Sequence, residues 1–142
     1  MSEQTFTGRV LVLGEATGEV LHCTSEIPGW GGIDTKTGFI VEHGHPQEGA
    51  SIAGKVLVIP GAKGASGWSG QFHMAHILGN TPVAVITRKL NSKLALGLAV
   101  IGVPALIDLP EEAFEALATG RIATVRGNTV IVHDGAAVPE LV

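Results

Sequence analysis

The fold is decided by one continuous stretch, Gly54-Lys55-Val56-Leu57-Val58-Ile59-Pro60 followed by Gly61-Ala62-Lys63-Gly64-Ala65-Ser66-Gly67-Trp68-Ser69-Gly70. Its first half is an apolar run of strand length, which is typical of a central β-strand covered on both faces. Its second half is a glycine-rich loop, and the apolar residues between Gln71 and Leu78 then predict a helix that ends at Gly79-Asn80. The order of strand, glycine loop and helix indicates a parallel sheet.

Strands and helices also alternate after this stretch. The pattern predicts a strand over Pro82–Thr87, a helix over Ser92–Val100 with Ser92 as its N-cap, a strand over Pro104–Asp108 and a short helix over Leu109–Leu117. Both ends of the chain are instead rich in β-segments: Gly8–Gly14, Glu15–His22, Phe39–Glu42 and a hairpin over Ile122–Val132 that turns at Gly127-Asn128. We therefore expect one α/β domain over residues 1–142, with a parallel sheet covered by helices on one side and by antiparallel β segments on the other.

The composition excludes several classes of protein. The chain has 9 Lys+Arg against 13 Asp+Glu and a net charge of −4, so it lacks the basic patch of a nucleic-acid-binding protein. Its apolar runs are far shorter than the roughly 20 residues of a membrane span, and no secretory signal begins the sequence, so we expect a cytoplasmic protein without a membrane. A single cysteine, Cys23, cannot by itself hold zinc or an iron–sulfur cluster, so any metal is expected to come with a partner.

The glycine loop is the first candidate for a binding site. In open parallel sheets, ligands bind beyond the carboxyl ends of the strands, where a helix N-terminus presents N–H donors. Lys63, Ser66 and Ser69 lie in this loop, and a serine beside a cation can exchange a proton with a bound acid. The loop lacks the GxxxxGK[ST] spacing of a phosphate-binding loop. The alternative interpretation is a plain turn that caps a helix.

A second loop offers another candidate, Trp30-Gly31-Gly32-Ile33-Asp34. Two adjacent glycines let the backbone approach a ligand closely, the indole offers a rigid surface, and Asp34 adds an acceptor. The alternative is an Asx turn with an indole packed in the core.

The histidines and the cysteine give weaker signals. His43 and His45 are two residues apart, and His73 and His76 are three apart, spacings that metal sites also use. No cysteine or carboxylate set completes either pair, so the favoured interpretation is loop and surface histidines, and Cys23 is interpreted as a small buried hydrophobe.

Short motifs follow one another along the chain in a fixed order: Gly31-Gly32-Ile33-Asp34, Thr37-Gly38, His45-Pro46, the run from Gly49 to Pro60, Lys63-Gly64, Ala95-Leu96-Gly97 and Gly102-Val103-Pro104. In this order they resemble the small subunit, or swivelling domain, of aconitase X. The similarity covers nearly the whole chain, from Gly8 to Gly135, and rests on the order of the motifs more than on any one of them.

The resemblance implies a three-layer swivelling β/β/α fold and a role as the small subunit of a hydro-lyase. In that family a large subunit supplies an iron or iron–sulfur centre, so this chain is expected to bind no cofactor or metal itself. The two subunits share an active site and dehydrate a small hydroxy acid, which is cis-3-hydroxy-L-proline in bacterial members and a phosphorylated mevalonate in archaeal ones.

The resemblance also implies roles for individual residues. The family's glycine loop usually contains Arg-Gly-Ser, whose serine is the base that removes a proton while iron acts as a Lewis acid on the hydroxyl. Lys63, Gly64 and Ala65 stand at those positions here. We therefore expect proton transfer by Ser66, with Ser69 second, and substrate contacts from Lys63 and Gly64. The loop that carries Gly31, Gly32 and Asp34 is assigned to substrate or subunit contact.

Two other functions compete with this one. Because Ala65 replaces the usual serine, the chain could instead be a non-catalytic binding or interaction module that keeps the fold. A free-standing metal-binding domain that uses His43 and His45 is disfavoured, and it requires stoichiometric metal in the purified chain.

Overall fold

The structure is a computed structural model that describes residues 3–28, 33–63 and 74–136. Its strands are β1 (Gln4–Thr7), β2 (Arg9–Val12), β3 (Glu15–His22), β4 (Ile27–Pro28), β5 (Lys55–Ile59), β6 (Ala62–Lys63), β7 (Ala84–Thr87), β8 (Ala105–Ile107), β9 (Arg121–Arg126) and β10 (Thr129–Ala136). The helices are α1 (Ser92–Ile101) and α2 (Glu111–Ala116), and residues 74–77 are also helical.

Eight of these strands form one mixed sheet in the order β1-β10-β9-β3-β5-β7-β8-β2. The inner four, β3, β5, β7 and β8, are parallel, as the alternation of strands and helices predicts. The outer strands join antiparallel, with β9 against β3 on one side and β2 against β8 on the other. Strands β4 and β6 form a separate parallel pair at the start of the glycine loop.

The two faces of the parallel strands are buried in different layers because side chains alternate along a strand. Val56 and Val58 belong to a hydrophobic cluster with Phe114 of α2 and with Val130 and Val132 of β10. The intervening residues of β5 belong to a second cluster, with α1 and with the segment 33–52, whose members include Leu57, Ile59, Leu94, Leu98, Ile40 and Ile52. The α/β layered fold is therefore confirmed. Strands β9 and β10 are hydrogen-bonded into the sheet, and their buried side chains also pack with those on one face of the parallel strands.

The predicted hairpin is present, with Gly127 at a φ of 60° in the two-residue turn between Arg126 and Thr129. That left-handed conformation favours glycine, which explains why the turn falls there. The predicted strand over Phe39–Glu42 is wrong. This segment makes only the isolated bridges Ile33↔Ile40 and Phe39↔Ser51, because it packs as a loop on the α1 side of the sheet.

The N-cap of α1 also differs from the prediction. Asn91, not Ser92, has the extended backbone of a cap, and its Oδ1 accepts a hydrogen bond from the backbone N–H of Leu94 at 3.0 Å. Ser92 is the first helical residue. Within the ranges that the structure describes, no helix is long and apolar enough to cross a membrane.

Candidate functional site

The carboxyl ends of the four parallel strands meet at one edge of the sheet, which we call the carboxyl edge. The chain leaves this edge after His22, Ile59, Thr87 and Ile107. The glycine loop therefore starts where open α/β sheets bind their ligands. Its first residues are held in place, since Ala62 and Lys63 of β6 pair with Ile27 and Pro28 of β4.

The residues predicted for the site are only partly described. The backbone of Lys63 lies in β6 at the carboxyl edge. Gly31, Gly32, Gly64, Ser66 and Ser69 lie outside the described residues, so their predicted roles stay predictions.

Asp34 is described, and its side chain takes part in a local turn. Its Oδ1 accepts the backbone N–H of Lys36 at 2.9 Å, which is an Asx turn, and its backbone carbonyl accepts the N–H of Gly38 at 2.7 Å. The side chain of Asn80 donates to the carbonyls of Thr35 and Lys36 from the segment before β7. This turn is therefore associated with the amino end of β7, whereas Lys63 follows the carboxyl end of β5.

Arg88 follows β7 directly and is anchored by a carboxylate and an aromatic ring. Its Nη1 and Nη2 donate to Oε1 and Oε2 of Glu111 at 2.6 and 3.0 Å, and its guanidinium carbon lies 3.9 Å from the centroid of the Phe114 ring. The hydrogen bond from Arg88 lowers the pKa of Glu111, and the same bond raises the pKa of Arg88. Arg88 thereby ties the end of β7 to the first turn of α2.

Lys89, the next residue, forms a second ion pair at the same edge. Its Nζ lies 3.2 Å from Oε2 of Glu26, the residue before β4. Both side chains lie against Gly61, because a Cβ placed there would meet Oε2 of Glu26 at 3.1 Å and Cβ of Lys89 at 3.4 Å. Arg88, Lys89 and Glu26 are not among the site residues predicted from the sequence. The available signal was the position of two cations directly after a predicted buried strand.

His22, the last residue of β3, lies at the carboxyl edge beside α2. Its Nδ1 donates to the carbonyl of Leu117 at 2.8 Å, and its backbone N–H donates to Oγ1 of Thr119 at 2.9 Å. The ring centroid lies 6.4 Å from that of Phe114, and the charge of His22 contributes to the lowered pKa of Glu111. These bonds fix the imidazole between the end of β3 and the residues after α2.

A polar cleft of about 140 Å³ lies beside the segment after β3, lined by Ser25, Glu42, His43, Gly44, His45 and Pro46. His45 is buried, and both of its ring nitrogens are used: Nδ1 accepts the N–H of Gln47 at 3.0 Å, and Nε2 donates to the carbonyl of Ser25 at 3.1 Å. His43 is exposed, with its Nδ1 3.9 Å from Oε2 of Glu48. His45 therefore joins two loops and presents no nitrogen lone pair to a metal.

The described part of the chain contains no group of three or more His, Cys, Asp or Glu side chains placed to hold a metal ion. Cys23 is 1% exposed, and burial raises the pKa of its thiol to about 12. A thiol with that pKa stays protonated at neutral pH, whereas metals and electrophiles react with the thiolate. Cys23 is accordingly a packing residue of the core, as the sequence predicts.

Comparison with known proteins gives consistent matches. The family model described as the aconitase X swivel domain matches residues 5–133. The phosphomevalonate dehydratase small subunit of Methanosarcina acetivorans is 35% identical over 121 residues, which are 85% of this chain and 84% of that one. The cis-3-hydroxy-L-proline dehydratase of Pseudomonas aeruginosa is 34% identical over 65% of this chain but only 16% of its own length. The crystal structure of Thermococcus kodakaraensis aconitase X in its holo form superimposes with a TM-score of 0.86 at 27% identity, covering 92% of this chain and 99% of that one.

Proposed function

Because the chain belongs to the aconitase X swivel-domain family, we propose that it is the small subunit of a heteromeric hydro-lyase that dehydrates a small hydroxy acid. The observation that carries this proposal is the 35% identity to a phosphomevalonate dehydratase small subunit over more than four-fifths of both chains. The position of the glycine loop supports it, since that loop begins at the carboxyl edge of a parallel sheet.

The proposed partner is a large subunit that supplies an iron or iron–sulfur centre. When bound, such a centre serves as a Lewis acid for a departing hydroxyl group. The described residues of this chain offer no ligand set for it, and the thiol of Cys23 is buried and protonated. We therefore assign the metal ligands to the large subunit and the polar residues of the glycine loop to this chain.

Within this chain we propose that Lys63 and Gly64 contact the acid group of the substrate and that Ser66 removes a proton, with Ser69 as the second candidate. The backbone of Lys63 is fixed in β6 at the edge where a substrate is expected. A lysine offers a point charge to a carboxylate or phosphate where an arginine offers a planar fork, so the orientation of the acid group is expected to depend on further contacts. We also assign the loop with Gly31, Gly32 and Asp34 to contact with the large subunit or the substrate; for Asp34 we favour the large subunit, because its turn is bonded to Asn80 at the amino end of β7, away from the carboxyl edge.

The proposed substrate is a small hydroxy acid of the kind named for the relatives, cis-3-hydroxy-L-proline or a phosphomevalonate. Both names describe dehydratases, so neither supports a non-catalytic module of the same fold. Ala65 at the position of the usual serine leaves Ser66 and Ser69 as nearby hydroxyl groups.

The test is to co-purify the chain with its large partner and to assay both acids for loss of water. We expect Ser66→Ala to lower kcat by 10²-fold or more, as removal of a general base does. Ser92→Ala, an exposed serine on α1, is the matched control and is expected to keep wild-type turnover. Near-wild-type turnover of Ser66→Ala would show that the proton is removed by another group, and Ser69→Ala would then be assayed in the same way.

A further inference from the structure

The first residues of the glycine loop are held from two sides. On one side, the backbone N–H groups of Arg88 and Lys89 donate to the carbonyls of Ile59 and Pro60, each at 3.2 Å, which extends the β5–β7 ladder past the end of the strands. On the other side, β4 pairs with β6, which places Ile27 next to Ala62. The backbone from Pro60 to Lys63 therefore lies between the end of β7 and the start of β4.

The ion pair between Lys89 and Glu26 joins these two sides. Lys89 is the residue that bonds Pro60, and Glu26 directly precedes β4. Nζ of Lys89 lies 3.2 Å from Oε2 of Glu26, and both side chains pass beside Gly61. A Cβ at that position would lie 3.1 Å from Oε2 of Glu26 and 3.5 Å from Cδ of Lys89. A glycine at position 61 leaves the space in which the two side chains meet.

Stability alone does not explain this arrangement. The Lys89 side chain is 72% exposed and that of Glu26 is 30% exposed, and an ion pair whose cation is so exposed adds little to the free energy of folding. The pair does connect the residue after β7 with the residue before β4, and these are the two segments that contact Pro60 to Lys63. Small displacements of groups that bind or react with a substrate lower turnover strongly.

We infer that Glu26 and Lys89 are positioning residues that clamp the start of the glycine loop, so that the backbone of Lys63 is held at a fixed place on the carboxyl edge. The inference deepens the proposed function, on which its catalytic consequence rests. Neither residue is assigned a contact with the substrate: Lys89 contacts Pro60 and Gly61 directly, and its pair with Glu26 connects it to the β4 side, where β6 is held.

The structural part of the inference is tested by hydrogen exchange on the purified full chain. Lys89→Met keeps the aliphatic stem and removes the charge, and Glu26→Gln removes the opposite charge. Either variant is expected to speed exchange of the amides of Arg88 and Lys89, which bond Ile59 and Pro60, by several-fold. The charge-reversed double variant Glu26→Lys with Lys89→Glu is expected to restore slow exchange. Unchanged exchange in both single variants would overturn the inference whatever the activity of the complex.

The functional part is tested in the two-subunit complex. Lys89→Met and Glu26→Gln are each expected to lower kcat/KM about tenfold, and the charge-reversed pair to return it to within about threefold of wild type. Arg126→Met, which breaks the exposed ion pair to Glu15 at 3.0 Å near the amino end of β3, is the matched control and is expected to leave kcat/KM unchanged. A double variant that exchanges as slowly as wild type but is as impaired as Lys89→Met would show that Lys89 acts through its charge rather than through the pair, and the positioning role would be rejected. An inactive wild-type complex would instead contradict the proposed function, while the exchange data would still decide whether the clamp exists.

Discussion

The guanidinium of Arg88 donates to both carboxylate oxygens of Glu111, 23 residues further along the chain, at 2.6 and 3.0 Å. The pair connects the end of β7 with the first turn of α2, where a carboxylate also interacts favourably with the positive end of the helix. The carboxyl edge is therefore braced on the α2 side by Arg88 and on the β4 side by Lys89. Of the two cations after β7, Arg88 pairs with Glu111 of α2 and Lys89 pairs with Glu26 before β4.

The Arg88–Glu111 pair predicts a pH dependence of stability. Because the hydrogen bond to Arg88 lowers the pKa of Glu111, the folded state gains stability above the ordinary carboxyl pKa and loses it as pH falls through the lowered value. Glu111→Gln is therefore expected to be less stable than wild type at pH 7, with the deficit shrinking toward pH 3. Urea unfolding at several pH values measures this, and Glu112→Gln on the same helical turn is the control. A deficit that is as large at pH 3 as at pH 7 would show that the ionised pair is not its cause.

The cap of α1 predicts unequal effects at two adjacent positions. Asn91→Ala removes the acceptor for the N–H of Leu94 and is expected to lower the free energy of unfolding by about 1 kcal/mol. Ser92→Ala is expected to change it by less than about 0.5 kcal/mol, since Ser92 is exposed and lies inside the helix. Chemical denaturation of both variants measures the difference. A larger loss for Ser92→Ala would indicate that Ser92 is the N-cap, as the sequence predicts.

The layered core predicts a contrast between two leucines of α1. Leu98 is fully buried in the cluster that contains Leu57 and Ile59, whereas Leu96 is 54% exposed. Leu98→Ala is expected to cost about 2–5 kcal/mol, and Leu96→Ala less than about 1 kcal/mol. Equal losses of unfolding free energy in thermal or chemical denaturation would show that α1 does not pack on the sheet through the face that carries Leu98.

The buried thiol of Cys23 predicts that the native chain resists alkylation and that its free energy of unfolding falls at alkaline pH. Since burial raises the pKa from 9.0 to about 12, the unfolded chain ionises first and stability falls as pH rises through this interval. The advantage of wild type over Cys23→Ala is expected to shrink between pH 9 and about 12, by at most about 1.4 kcal/mol for each pH unit. Iodoacetamide alkylation reports on Cys23 alone, because the chain has one cysteine. We expect Cys23 to react only after denaturation. Rapid alkylation of the native chain would contradict the buried position.

Much of the fold could be predicted because its strongest signals are local. The continuous apolar run of β5 is buried on both faces, and the Gly127-Asn128 turn needs the backbone freedom of glycine. The N-cap was misplaced because Asn91 and Ser92 are both good caps and only the helix start distinguishes them. The segment Phe39–Glu42 has the apolar residues of a strand but makes only isolated bridges, because the formation of a ladder depends on tertiary contacts that the local sequence does not show.

The site was less predictable, because its contacts join distant parts of the chain. Lys89 and Glu26 are 63 residues apart in the sequence, so a local sequence pattern does not show that both side chains contact Gly61. The glycine loop is visible as a pattern in the sequence, and its start at the carboxyl edge follows from the parallel order of β5 and β7. The roles of Ser66 and Ser69 rest on the loop sequence and on the family, and they stay predictions.

The most direct test of the central claim is a titration of this chain into a fixed amount of the large subunit while dehydration of cis-3-hydroxy-L-proline and of a phosphomevalonate is followed. We predict no turnover by either chain alone, a rise in rate with added small subunit and saturation at one small subunit per large subunit. Turnover by this chain alone, or a rate of the large subunit that does not respond to its addition, would contradict the account.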